Sequence, residues 1–309
     1  MDPSPLFGFM RERHLVYLRR QAGLPPPWTR DPVLARYKFC NVYRELDRTT
    51  RELRRLTDTM RDQPEVLLLV TALRWLNRVE SWRTLLWSAG GHLPTLVYML
   101  ESPARRALLE QDLRSRQGPP YVTGAYIVKT PDGVDKLSGV FQCIGRFIET
   151  RVPLVPGGVP HGWRSAAEVM LRHRCSLRRV WEWTCGHEFQ GGFTAYEVVS
   201  DLRHTDLLCR APDIMTWAPA GPGAKRGLNR LHGRRLEAGI SRDQQCDEMR
   251  ELLILSQDRR WWPAPSANWP ALEMRDIEHS LCEVDKHMRV VEGSGRPRST
   301  FVPSAEALP

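Results

Sequence analysis

Phe189-Gln190-Gly191-Gly192-Phe193-Thr194-Ala195-Tyr196 is the stretch on which the fold reading turns. The apolar spacing before it predicts a helix over about 176–184, and the spacing after it predicts another over about 193–203. Between them, two glycines open backbone torsions that other residues avoid, and Ala195 lets the second helix start in close packing. Such a turn aims free backbone N–H groups past the N-terminus of the new helix, where a DNA phosphate fits. The same residues also make a plain interhelical turn, and the sequence leaves both readings open.

Outward from that turn the chain reads as mainly α. Val42, Leu46, Leu53, Leu56 and Met60 predict a helix over 41–60, and Pro64-Glu65 opens the next, running to Leu76. Further helices are expected at about 80–88, 93–100, 103–116, 136–149, 164–173, 224–238, 242–257 and 271–291. Residues 1–30, ending in Pro25-Pro26-Pro27, read as a Pro-rich lead-in. Residues 31–291 read as one helical domain, with the Pro- and Gly-rich stretch 153–162 as a candidate boundary between two lobes. Residues 292–309 read as a disordered tail. No internal repeat or sustained strand alternation is visible, which argues against an α/β nucleotide-binding core.

The 309 residues carry 45 Lys+Arg against 36 Asp+Glu, a net charge of +9. Only five of those cations are lysines, so 40 are arginines. Guanidinium forks match phosphate oxygens in pairs, which makes polyanions the first class of partner to consider; GC-rich coding explains the Arg:Lys ratio equally well but accounts less well for the net charge. The longest strongly apolar run, Val66–Ala72, is far short of a membrane span, and the first ten residues lack the order of a secretory signal. Seven scattered cysteines without a C-x-x-C suit a reducing cytosol, so a cytoplasmic protein is expected. Cys185-Gly186-His187 is the one close Cys/His pair, and it reads as structural, not as a metal site.

Three other segments hold candidate chemistry. Gly221-Pro222-Gly223-Ala224-Lys225-Arg226-Gly227 leads a loop into a helix and forms an anion nest or an exposed basic turn. The G-x-x-x-x-G-K-[ST] order of a P-loop occurs nowhere in the chain. Asn41, Arg44, Asp47 and Arg48 fall on one face of the predicted helix, as a base-reading or phosphate-clamping group or as a structural ion-pair network. Asn77 and Trp82 make a similar polar–aromatic cluster. On the last long helix, Glu283 pairs with Lys286 or His287 and Asp285 with Arg289, either as a solvated face or as a source of a catalytic carboxylate.

Taken in order, C-N-V-Y-R-E-L-D-R (40–48), N-R-V-E-S-W (77–82), T-G-A-Y-I-V (123–128), F-T-A-Y-E-V-V-S-D-L-R (193–203), G-P-G-A-K-R-G-L (221–228) and L-C-E-V-D-K-H-M-R (281–289) resemble the helical domain of phage 5-hydroxymethyl-uridine DNA kinases. That group is also described as α-glutamyl/putrescinyl-thymine pyrophosphorylases. The resemblance spans about 35–291 and implies a helix-hairpin-helix DNA-glycosylase-like helical fold. It is nearest to a bacterial anti-phage branch that excises glucosylated hydroxymethylcytosine. The activity it implies is therefore a DNA glycosylase that flips a bulky modified pyrimidine out of phage DNA and leaves an abasic site; with no lysine clearly placed to attack the sugar, a monofunctional, water-using enzyme is expected. The alternatives are a non-catalytic modified-DNA-binding module and a group transferase acting on hypermodified thymine in DNA.

On that reading the carboxylate candidates are Asp47, Asp201, Asp213, Glu283 and Asp285, among which the sequence does not choose. Gly191, Gly192, Gly221, Gly223, Lys225 and Arg226 would hold DNA phosphates. Asn41, Arg44, Asn77, Trp82, Tyr121 and Tyr126 would line the base pocket. The expected partner is double-stranded DNA with modified bases, with no metal, no nucleotide cofactor and no membrane.

Overall fold

The computed structural model describes residues 1–124, 127–297 and 299–301. Its helices, in chain order, are α1 (Ser4–Gln21), α2 (Pro32–Arg36), α3 (Arg48–Thr57), α4 (Glu65–Leu76), α5 (Val79–Ser88), α6 (Leu93–Glu101), α7 (Pro103–Arg116), α8 (Lys136–Glu149), α9 (Trp163–Arg172), α10 (Leu177–Cys185), α11 (Gly192–Leu202), α12 (Pro222–Leu231), α13 (Arg242–Leu255) and α14 (Met274–Val291). Two short strands, β1 (Val152–Pro153) and β2 (Pro160–His161), pair antiparallel. The protein is mainly helical. It divides into a central unit, Arg48–Asp213, and a terminal unit made of Met1–Asp47 and the chain from Ile214 onward. The 153–162 stretch, read as a candidate boundary, lies inside the central unit and joins β1 to β2.

In the central unit, α4 is buried from Val66 to Leu76 without interruption. A helix buried on every face must be covered all round, and α8, α9 and α11 pack against it. Phe147 on α8 meets the rings of Trp75, Trp183 and His187 at 6.0, 5.8 and 4.6 Å. His187 places Nδ1 3.0 Å from the Trp183 carbonyl, and burial pushes its pKa down to about 4. It is a core residue, as the structural reading of Cys185-Gly186-His187 has it.

One expectation gives way here. The stretch 41–60 is not one helix: a 3₁₀ turn covers Arg44–Leu46, α3 begins at Arg48, and a second 3₁₀ turn follows at Asp58–Met60. Asp47 is extended, and its carboxylate accepts the Asn41 backbone N–H at 2.9 Å. Short polar side chains compete with the helix for backbone partners in this way. The Pro-rich lead-in, conversely, carries the 18-residue helix α1. Its Pro5 stands in the first turn, where no intrahelical N–H is required, and Leu6, Phe7, Phe9 and Met10 are buried. At the far end, the Lys38 and Phe301 N–H groups donate to the Ser299 and Arg36 carbonyls, which holds 299–301 against the segment after α2.

Candidate functional site

The terminal unit is organised on α14, which presents two stripes. Along the first runs the segment after α2, antiparallel to the helix. Arg275 pairs with Glu45 at 2.8 Å, His279 Nε2 lies 3.0 Å from the Asn41 carbonyl, Glu283 accepts the Cys40 N–H at 2.9 Å, and Lys286 donates to the Lys38 carbonyl at 3.0 Å. These positions recur at the three- and four-residue spacing of one helical face. The second stripe carries α12: Glu278 accepts the Gly221 N–H at 3.1 Å, and Asp285 takes the Arg226 and Arg230 guanidiniums, each at 3.0 Å. Gly223 and Gly227 let α12 sit directly on Cys282 and Leu281 of α14.

Each candidate carboxylate now has a place. Asp285 is fully buried between Arg226, Arg230 and Arg289. Asp201, in the central unit, is buried against Arg74 together with Glu197. Asp213 accepts the Leu177 and Arg178 backbone N–H groups at 2.7 and 3.0 Å and so anchors the start of α10. Glu283 holds Cys40 and pairs with Lys286 at 2.6 Å. Asp47 is the most open of those in the terminal unit, with a fifth of its side chain exposed. One oxygen accepts the Asn41 backbone and side-chain N–H groups, and Arg44 Nε stands 3.0 Å from the other. Burial raises its pKa against the pull of Arg44.

Asn41, Arg44 and Asp47 thus form one cluster, but through a turn and not along a helix face. Arg48 leaves it and pairs with Glu80 in the central unit at 2.8 Å. Asn77 caps α4 in the left-handed conformation and accepts from Arg74 at 2.8 Å. Trp82 is wholly enclosed, its indole N–H donating to the Leu73 carbonyl at 2.8 Å, so it has no face for a base. Tyr121 is half-buried and its carbonyl accepts from Ser81; Tyr126 lies outside the described residues.

The two glycine turns belong to different units. Gly191 caps α11, and the Gly192 carbonyl accepts the Trp181 indole N–H at 2.8 Å. At the other turn, the Gly221 N–H is engaged by Glu278 and Arg226 by Asp285, while Lys225 has no ion-pair partner among the described residues. Among the described residues no group of His, Cys, Asp and Glu is placed to hold a metal ion, and no helix is long and apolar enough to cross a membrane.

Sequence reasoning missed Asp276. It lies at the start of α14, 1% exposed, in a reciprocal cap with Glu273, and its Oδ1 has no hydrogen-bond partner. Burial, only partly offset by Arg275, pushes its pKa up to about 8. The folded protein therefore holds a proton that the unfolded chain releases near pH 4, and stability falls as pH rises from about 4 toward 8. Asp276→Asn keeps the cap acceptor and removes the titration. Between about pH 5 and pH 8 the wild-type melting temperature should fall relative to that of the variant; parallel curves would refute the assignment.

A family model described as the helical domain of 5-hmdU DNA kinase matches residues 4–296. A protein of Bacillus phage SP10 named 5-hmdU DNA kinase is 28% identical over 233 residues, which cover 70% of this chain and 34% of that protein. The chain thus spans about a third of the length of this relative. No solved structure matches. These findings overturn base excision: the match is to a phosphotransfer family, not to a hydrolase, so the glycosylase reading is withdrawn. The expectation of no nucleotide cofactor likewise conflicts with a relative that is a kinase. With nearly the whole described chain matched, the protein belongs to the family of 5-hmdU DNA kinase helical domains.

Proposed function

We propose that the chain binds DNA bearing a 5-hydroxymethyl-substituted pyrimidine and takes part in transferring a group onto that substituent, leaving the glycosidic bond intact. The family match over residues 4–296 carries this reading, and the name of the phage relative supplies the substrate class. The +9 charge, the uncommitted Lys225 and the α10–Gly191-Gly192–α11 turn support contact with DNA phosphates. That turn also supports a helix-hairpin-helix-like architecture for the central unit.

Among the carboxylates we assign Asp47 as the group that takes the proton from the hydroxymethyl oxygen. It is partly open to solvent, its pKa is raised toward the range useful to a base, and Arg44 beside it suits the charge of an incoming phosphoryl group. Asn41 fixes its orientation. The test supplies the purified protein with a nucleoside triphosphate and oligonucleotides containing 5-hydroxymethyluracil or thymine, then measures affinity and nucleoside mass. Tighter binding of the hydroxymethyl strand is expected, with the γ-phosphoryl group passing from the triphosphate to the hydroxymethyl oxygen, so that the β–γ bond breaks, nucleoside diphosphate is released and the modified nucleoside gains one phosphoryl group. Asp47→Asn should bind as before and lose the gain by about 100-fold or more. Equal affinity for the two strands with no mass gain, or the appearance of abasic sites, would overturn the reading.

A further inference from the structure

We propose that the central unit carries a strand-binding site for single-stranded DNA, built on Trp87 of α5 and Arg116 of α7, in which bases stack and guanidiniums take the phosphates. It rests on the reading of DNA as substrate but uses none of the residues assigned to the reaction.

Trp87 is 59% exposed, with the Arg116 guanidinium 3.8 Å over its ring. Together with Arg83 and Thr84 these residues line a shallow cleft of about 490 Å³. Arg83 and Trp87 are four residues apart on α5 and so share a face. A second stack repeats the arrangement at the other end of α7: Tyr98 of α6 is 57% exposed, with the Arg105 guanidinium 3.6 Å over its ring. Arg105 and Arg116 are eleven residues apart, three helical turns, so they lie on the same side of α7 about 16 Å apart. That is the length of about five stacked nucleotides at 3.4 Å each.

Trp87 and Tyr98 are aromatic rings left in water, each with a guanidinium stacked on it. Here the electrostatics select the partner. Arg83 and Arg55 share the carboxylate of Glu52, and Arg116 pairs with Asp112. In each case the cation is the outer member: Arg83 is 63% exposed against 13% for Glu52, and Arg116 48% against 31% for Asp112. An approaching polyanion therefore meets guanidinium before carboxylate. Aromatic and guanidinium planes accept any base by stacking, and the Arg forks bind phosphate in pairs. A duplex keeps its bases stacked on one another, whereas an unpaired strand offers them to Trp87 and Tyr98.

The experiment measures the affinity of the full chain for single-stranded oligonucleotides, with and without 5-hydroxymethyluracil, across a salt series. Trp87→Ala should weaken both strands by about tenfold and leave their ratio unchanged, since stacking does not read the base substituent. Trp87→Phe should restore most of the loss, and Arg116→Ala should lower the salt slope by about one. Both side chains are exposed, so circular dichroism of the variants should match wild type. Unchanged affinity in Trp87→Ala and Arg116→Ala overturns the site, and so does unchanged DNA binding accompanied by altered self-association, which would make the face a protein interface. Wild-type protein that binds both strands equally and adds no group to the modified nucleoside sinks the proposed function yet leaves the stacking site standing. Wild-type protein that binds no DNA overturns both.

Discussion

Replacing Arg74 with methionine should lower the stability of the protein by about 3–5 kcal/mol, because it strands two carboxylates in the core of the central unit. Arg74 stands on α4, 2% exposed, and its guanidinium reaches both oxygens of Asp201, Glu197 at 3.0 Å, the Asn77 side-chain oxygen at 2.8 Å and Thr50 at 3.2 Å. Asp201 and Glu197 are themselves 4% and 6% exposed. Removing the guanidinium that both buried anions share takes away charge and hydrogen bonds from each, which favours their protonation or the entry of water. Methionine fills comparable space, so the loss reports charge and hydrogen bonds rather than a cavity. Denaturant unfolding of the full chain measures it, with Arg48→Met as the comparison. Arg48 is 64% exposed and pairs with Glu80, so its loss should change stability by no more than about 0.5 kcal/mol. Adding Asp201→Asn and Glu197→Gln to Arg74→Met should recover part of the stability, since it removes the stranded charges. An Arg74→Met loss below about 1 kcal/mol would show that these groups reach solvent and that the network is not sealed.

That network also marks what the sequence could and could not disclose. Helices with clean periodicity and sharp ends were legible: 103–116 is α7, 136–149 is α8, and 193–203 is α11 to within a residue. Asp47 was recognisable as a partner of Asn41 and Arg44, but the turn that joins them was not, because side-chain hydrogen bonds override apolar spacing there. Asp201 lies 127 positions from Arg74, and no local pattern tells that it is an internal counter-ion and not an open carboxylate. Asp285 gave the same difficulty: the (i,i+4) pairing with Arg289 was visible, while the Arg226 and Arg230 contacts depend on α12 settling beside α14. The wrong chemistry had a different origin. A basic helical chain with glycine turns suits any enzyme that works on a base in DNA, and these residues carry no information about which bond is made or broken.

Gly227→Ala should destabilise the terminal unit by about 2–3 kcal/mol, although alanine is the better helix former. In an exposed helix interior that exchange gains about 1 kcal/mol. At Gly227 an added Cβ would lie 2.9 Å from the carbonyl carbon of Leu281, closer still to its oxygen, and 3.1 Å from its Cβ. The first two are backbone atoms of α14 and cannot rotate away, so α12 would have to lift from its partner helix. Overpacking of this kind typically costs 1–3 kcal/mol, and more where backbone must move. The displacement would also strain the contacts that tie Arg226 and Arg230 to Asp285 and Gly221 to Glu278, because all of them depend on the same helix separation. Gly191→Ala supplies the contrast: Gly191 has φ −69°, and nothing lies within 4 Å of the new methyl group. Its thermal unfolding should match that of wild type to within about 0.5 kcal/mol. If Gly227→Ala melts with Gly191→Ala, α12 and α14 are not in the close contact on which the geometry of this unit depends.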